Sequence, residues 1–179
     1  RQGVSLQPSG PLLHYVTANV TKHTNHINLK VRFEDYTPPA ASRLNAYIEA
    51  RNGEYHYVGH SCRDNTYKTY VPHQQGPTLD SPTDFRMTTL RLWHGEQEDI
   101  RLYVRETRSA DPNQTRVVSL NLAEELAKVK NNVGEYLYNT NEKLEFHDEY
   151  DIILTLGPDF VVVGLTIANW SVIGGGVGV

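Results

Sequence analysis

Two histidine pairs and one cysteine are the residues best suited by type to hold a metal ion. His23 and His26 stand three apart, His56 and His60 four apart, and Cys62 follows two after His60. On a helix either pair would share a face. Both lie where the sequence reads as strand or turn. On a strand, His56 and His60 sit roughly 13 Å apart along one face, too far to bind one ion together. A single cysteine gives neither an internal disulfide nor a thiolate-rich zinc site. The residues therefore read as a buried thiol and water-facing histidines, with no metal or cofactor.

Carboxylates offer the second chemistry. His147-Asp148-Glu149-Tyr150-Asp151 is an acidic run, and paired carboxylates do acid/base work or hold calcium. On a strand, Asp148 and Tyr150 face one way and Glu149 and Asp151 the other, so the set does not converge. Asp111-Pro112-Asn113 alternates oxygen ligands but lacks the glycine and closing glutamate of a calcium loop. Ser61 and Cys62 beside His60 form no catalytic unit, because strand neighbours point to opposite faces. The chain contains no nucleophile elbow, no glycine-rich phosphate loop and no HExxH. No catalytic, cofactor-binding or metal-binding residue is assigned, and the expected function is not enzymatic. Sequons stand at Asn19, Asn113 and Asn169, and the last precedes Trp170, which reads as a buried packing anchor at a sheet margin. Tyrosines cluster at Tyr55, Tyr57, Tyr67 and Tyr70, and again at Tyr136 and Tyr138. Such clusters serve either as partner or glycan surfaces or as cross-strand ladders.

The elements that would position these residues are mostly strands. His26 to Phe33 alternates, with Ile27, Leu29, Val31 and Phe33 on one face, which predicts a half-buried antiparallel strand. Leu13 to Val20 is rich in β-formers. Leu44, Ala46, Ile48 and Ala50 alternate, and Asn52-Gly53 then predicts a tight hairpin returning through Tyr55 to Gly59. Further strands are predicted at Tyr67 to Val71, Arg86 to Trp93, Ile100 to Thr107 and Thr115 to Leu120. Loops are predicted at 73–84, 94–99 and 109–114. Asn121-Leu122-Ala123-Glu124 has the capping-box form, and Leu122, Leu126 and Val129 share a helical face, so one helix is expected over 121–131. In the last third, Tyr150, Ile152, Leu154 and Leu156 alternate. Val161, Val163, Leu165 and Ile167 follow beyond Gly157-Pro158-Asp159, and the two runs predict a hairpin of two central strands with these side chains buried.

Many short strands with one helix predict an all-β sandwich. The 179 residues suit one domain, expected over 1–173, with a Gly-rich tail at 174–179. Four of the six tail residues are Gly, so the tail makes a poor inserted strand. The net charge of -4 argues against a generic nucleic-acid binder. No apolar run approaches a membrane span. The chain opens at Arg1 without a signal-peptide pattern, so a processed chain or a fragment is expected, with any targeting signal upstream.

The C-terminal half resembles the fimbrillin-anchor family (FimB/Mfa type) of Bacteroidales surface fimbriae. The likeness rests on Asp148-Glu149-Tyr150-Asp151, the apolar strand to Leu156, the strand Val161 to Ile167, and the closing Asn169-Trp170-Ser171. It rests also on Thr88-Thr89-Leu90-Arg91-Leu92 and the helix at Asn121 to Val129, and it spans residues 85–173. The resemblance implies a transthyretin-like β-sandwich at the bacterial cell surface, tethered at the outer membrane through an upstream lipid anchor. It further implies the C-terminal domain of a longer anchor or accessory subunit, joined to other fimbrial subunits by strand pairing. Two other classes stand beside it. One is an adhesin whose loops at 73–84 or 94–99 hold a carbohydrate or host protein. The other is a hydrolase, which would need a polar cleft of convergent carboxylates that the sequence does not suggest.

Overall fold

The structure is a computed structural model that describes residues 24–39, 42–52, 67–75, 83–93, 100–108, 111–145 and 149–168. The expected strands at Leu13 to Val20 and Tyr55 to Gly59, and Trp170, lie outside these residues. Two sheets face each other across one apolar core, so the chain is a β-sandwich.

The first sheet is built around β1 (Thr24–Phe33). Ile27, Leu29 and Val31 are fully buried while the intervening residues stay half-buried, as the alternation demands. On one side β1 pairs antiparallel with β5 (Asp84–Leu90), which carries the short β4 (Gln74–Gln75) on its outer edge. On the other side it pairs parallel with β8 (Glu149–Leu156), in register from His26 opposite Glu149 to Phe33 opposite Leu156. The expectation of a purely antiparallel strand is thus corrected. Alternation fixes which face is buried but not which way a neighbour runs. β9 (Val162–Ala168) closes this sheet, antiparallel to β8.

The second sheet has the order β3-β2-β6-β7. β2 (Ser42–Ala50) lies between β3 (Lys68–Tyr70) and β6 (Ile100–Arg108), and β6 pairs on its far side with β7 (Asp111–Asn121). Both flanks of Ile48 to Ala50 are therefore taken, by Lys68–Tyr70 and by Ile100–Leu102. The place expected for a two-residue hairpin at Asn52-Gly53 is occupied by β3. Asn52 instead turns its side chain inward. Its amide donates to the carbonyls of Leu90 and Arg91, both at 3.0 Å, and its oxygen accepts from the Tyr70 hydroxyl at 2.7 Å. On the same stretch the Asn25 oxygen accepts from the Leu92 amide at 2.7 Å. Two buried asparagines thus satisfy the backbone where β5 ends, three residues short of the expected Trp93.

Two further corrections concern boundaries. Asp111 to Gln114, read as turn by composition, already belong to β7. A register shift between Thr107 and Arg108 absorbs the irregularity. The predicted helix is α1 (Leu122–Lys128), which buries Leu122 and Leu126. Asn121 caps it by accepting from the amides of Ala123 at 3.2 Å and Glu124 at 3.4 Å. It ends at Val129, which is extended, rather than at Asn131. A second short helix, α2 (Asn141–Glu145), was not expected, and it brings Leu144 into the core.

Candidate functional site

Among the described residues, those singled out for chemistry do not converge. His26 Nδ1 lies 3.1 Å from the Thr88 hydroxyl, a cross-strand contact on the outer face of the first sheet. His23, His56, His60, Cys62, His147 and Asp148 lie outside the described residues. Glu149 and Asp151 do share a face, and both accept from the Asn28 amide, at 2.6 and 2.8 Å. Tyr150 points the other way into the core, edge-on to Tyr138 with centroids 5.3 Å apart. Among the described residues, no three His, Cys, Asp or Glu side chains stand where they could hold a metal ion. Asn113 is exposed on β7. Of the tyrosine clusters, Tyr67 and Tyr136 are exposed and each carries a cation over its ring, Arg51 at 4.8 Å and Lys130 at 4.3 Å.

A buried ionic clasp, not anticipated from the sequence, joins the two sheets at one end. Glu106 occupies an inward position of β6, in phase with Ile100, Leu102 and Val104, and is fully buried. The Tyr36 hydroxyl donates to its Oε1 at 2.6 Å, and Arg116 Nε, from the register position opposite on β7, donates to its Oε2 at 3.0 Å. Arg116 Nη2 also donates to the Tyr36 hydroxyl at 2.8 Å, which closes the triangle. Burial pushes the Glu106 carboxyl up, but the Tyr36 hydroxyl and the Arg116 charge outweigh it and hold the group below its ordinary value. Burial, then the Glu106 carboxylate, push the Tyr36 hydroxyl up.

The clasp reaches across to the turn between β8 and β9. Arg116 Nη1 donates to the Pro158 carbonyl at 3.3 Å, and the guanidinium sits 5.6 Å from the centroid of the Phe160 ring. Phe160 is buried and adopts a positive φ of 60°, strained for an aromatic residue. Gly157 closes the turn. A Cβ there would lie 2.7 Å from Val163 Cγ1, so a larger residue would push the Val163 side chain aside. The start of β9 is therefore fixed by an arginine from the opposite sheet.

Among the described residues, β9 is the open margin that this turn delivers. Each sheet ends in one stub and one long strand. The stubs are β4 and β3, two and three residues long, and the long edges are β9 and β7, seven and eleven residues long. Natural edge strands are usually guarded by charge or proline. β9 carries neither, and Val161, Val162 and Val163 are 51%, 39% and 50% exposed. The expectation that Val161 and Val163 are buried in a central strand is thereby corrected. Ile152 and Leu154 are fully buried, and Leu165 and Ile167 pack partly against the core. β7, by contrast, holds Pro112 and Arg116.

The fold can now be set against known proteins. A family model described as fimbrillin-A associated anchor proteins Mfa1 and Mfa2 matches residues 13–174, a span that takes in every described strand. The chain belongs to the fimbrillin-A associated anchor family. The match extends through the N-terminal half, beyond residues 85–173 on which the resemblance rested. Solved structures similar to this anchor-family chain agree on the sandwich. A candidate adhesin from Bacteroides ovatus superposes with a TM-score of 0.59 at 20% identity, over 83% of this chain and 48% of that one. A candidate polysaccharide-binding protein from Bacteroides thetaiotaomicron gives 0.60 at 21% identity, over 83% and 49%. The fimbrial anchor protein Mfa2 from Porphyromonas gingivalis gives 0.51 at 19% identity, over 84% and 48%. The chain thus spans about half the length of these structures, and at such identities the likeness carries the fold alone. No curated protein matches the chain by sequence.

One signal for the clasp was present in the sequence. The period-two phase of Ile100, Leu102 and Val104 continues onto Glu106, which places a carboxylate on the buried face. A buried carboxylate requires a cation, and Arg116 lies on the next strand. The openness of β9 had no comparable signal, because composition does not rank strands by position in a sheet.

Proposed function

We propose that this chain is a non-enzymatic anchor or accessory subunit of a surface fimbria, and that it joins a neighbouring subunit by strand pairing along β9. The observation that carries the reading is β9 itself: an uncharged, proline-free edge with exposed valines, held in place from the opposite sheet. Such an edge offers unpaired main-chain donors and acceptors, and side chains at alternate positions give specificity. Family membership supports the fimbrial role. In this reading residues 1–173 form one sandwich domain of a longer subunit at the cell surface, tethered to the outer membrane by an upstream lipid anchor, and 174–179 are a tail.

The test is co-purification with fimbrial polymer from cells. Prolines stepped from Val162 to Ile167 delete donors, and some fall on the open side of the strand. Variants that keep the wild-type melting temperature but lose the polymer support the reading. If every folded variant assembles normally, β9 is not the contact.

A second reading, an adhesin that holds a glycan, is favoured by one observation: a tyrosine–arginine surface on the outer face of the second sheet. Tyr47 on β2 and Tyr103 on β6 stack in register, centroids 4.6 Å apart and planes 9° from parallel.

A further inference from the structure

The outer face of the second sheet has an unusual make-up for a strand surface. Four positions on β2 point outward, namely Arg43, Asn45, Tyr47 and Glu49, opposite Thr107, Arg105, Tyr103 and Arg101 of β6. Along β7, Thr115, Val117, Ser119 and Asn121 continue the same face. Val117 is the one aliphatic side chain among these twelve positions. Three of them are arginines and one is a glutamate, so the face is positive on a chain whose net charge is -4.

The charges are also unevenly distributed. Glu49 sits at the Arg101 end, and burial together with that carboxylate pushes the Tyr103 hydroxyl up. At the other end Arg43 and Arg105 are diagonal neighbours across the β2–β6 pair, and both are exposed. Among the described residues neither has an acidic partner. Arg105 instead lies 5.8 Å from the centroid of the Tyr47 ring, a contact that leaves its N–H fork available. Two guanidinium forks beside a stacked tyrosine pair match a carboxylate-bearing ligand, because arginine binds carboxylates bidentately. The surrounding Asn45, Thr107, Thr115 and Ser119 supply amide and hydroxyl partners for a ligand rich in hydroxyls. Tyrosine and arginine also anchor protein contacts, but here amide and hydroxyl side chains surround them and Val117 is the single aliphatic neighbour, which favours a hydroxyl-rich ligand.

We infer that the Arg43–Arg105–Tyr47–Tyr103 surface of the second sheet binds an acidic polysaccharide, with the two arginines taking uronate carboxylates and the tyrosine pair lying against the sugar rings. This rests on the adhesin reading and makes no use of the β9 edge.

The experiment measures binding of the full chain to galacturonic acid oligomers and to neutral galactose oligomers by titration calorimetry. The variants are Arg43→Gln, Arg105→Gln and the double variant, each checked for an unchanged melting temperature, which their exposure predicts. The expected result is measurable binding of the acidic oligomer only, weakened about tenfold by each arginine removed and by added salt. Acidic-oligomer binding that the double variant leaves unchanged, or equal binding of the neutral oligomer, overturns this site while leaving the adhesin reading standing. Binding of neither oligomer overturns the site; failure of a broad panel of glycans to bind overturns the adhesin reading with it. A polyglutamate peptide that binds as tightly, with the same arginine dependence, overturns the glycan assignment in favour of an acidic protein segment.

Discussion

The most consequential side chain in the sandwich is a charged one. Glu106 carries no exposed surface, and its carboxylate is tolerated because Arg116 and Tyr36 complete its hydrogen bonds, with Arg108 Nε 3.9 Å away as a second cation. Removing one partner of such a buried pair costs about 3–5 kcal/mol, since it leaves the other charge without compensation. Arg116→Ala should therefore destabilise the chain toward the lower end of that range in urea unfolding, because Arg108 stays 3.9 Å from the carboxylate, and still by more than the loss of a half-exposed arginine elsewhere. Glu106 also sets an acid limit. The unfolded chain takes up this proton around the ordinary glutamate value of 4.5, and the folded chain does so lower. The stabilisation is full above 4.5 and is lost as the pH falls through the lower folded value. Unfolding free energies measured across that acid range should show a shallower slope for Glu106→Gln than for the wild type. An unchanged slope would mean that Glu106 is not the titrating group.

At the scale of elements, what the sequence revealed and what it concealed follow from the physics of each signal. Helix α1 was legible because its start is chemical: Asn121 caps two amides, and Asn121→Ala should cost about 1 kcal/mol in a denaturant titration. A loss near zero would show that packing of Leu122 and Leu126 alone holds the helix. The faces of β1, β2, β6 and β8 were legible because alternation reports burial directly. Strand neighbours were not legible. The parallel pairing of β1 with β8 and the marginal place of β9 depend on contacts distant in sequence. Asp111 to Gln114 look like a turn by composition, yet Asp111 pairs with Arg108 of β6, and Pro112 to Gln114 bulge between that pair and Thr107–Thr115. For the site, the sequence offered only the phase that carries Glu106 onto the buried face of β6. The Glu106 clasp needed the cross-strand register, and the Tyr47–Tyr103 stack needed the β2–β6 pairing.

For the molecule as a whole, the strands of the first sheet differ in how firmly they are held. β1 and β8 have neighbours on both sides and fully bury Ile27, Leu29 and Tyr150, whereas β9 is paired on one side among the described residues. Amide exchange should accordingly be slowest in β1 and β8 and faster along β9, and the β9 amides should slow on incorporation into a fimbria. Uniform protection across the first sheet, in the isolated chain, would contradict this ordering. The pairing of His26 with Glu149 has one more consequence, which concerns time. The second sheet is assembled mainly from β2, β6 and β7, and its β6–β7 pair joins consecutive strands. The central seam of the first sheet must instead wait for a strand more than a hundred positions downstream. As the chain emerges, β1 therefore stands with the flank that β8 fills bare until β8 has been made. During that interval any passing strand competes for its place, and a chaperone or a slow export step has the most to protect.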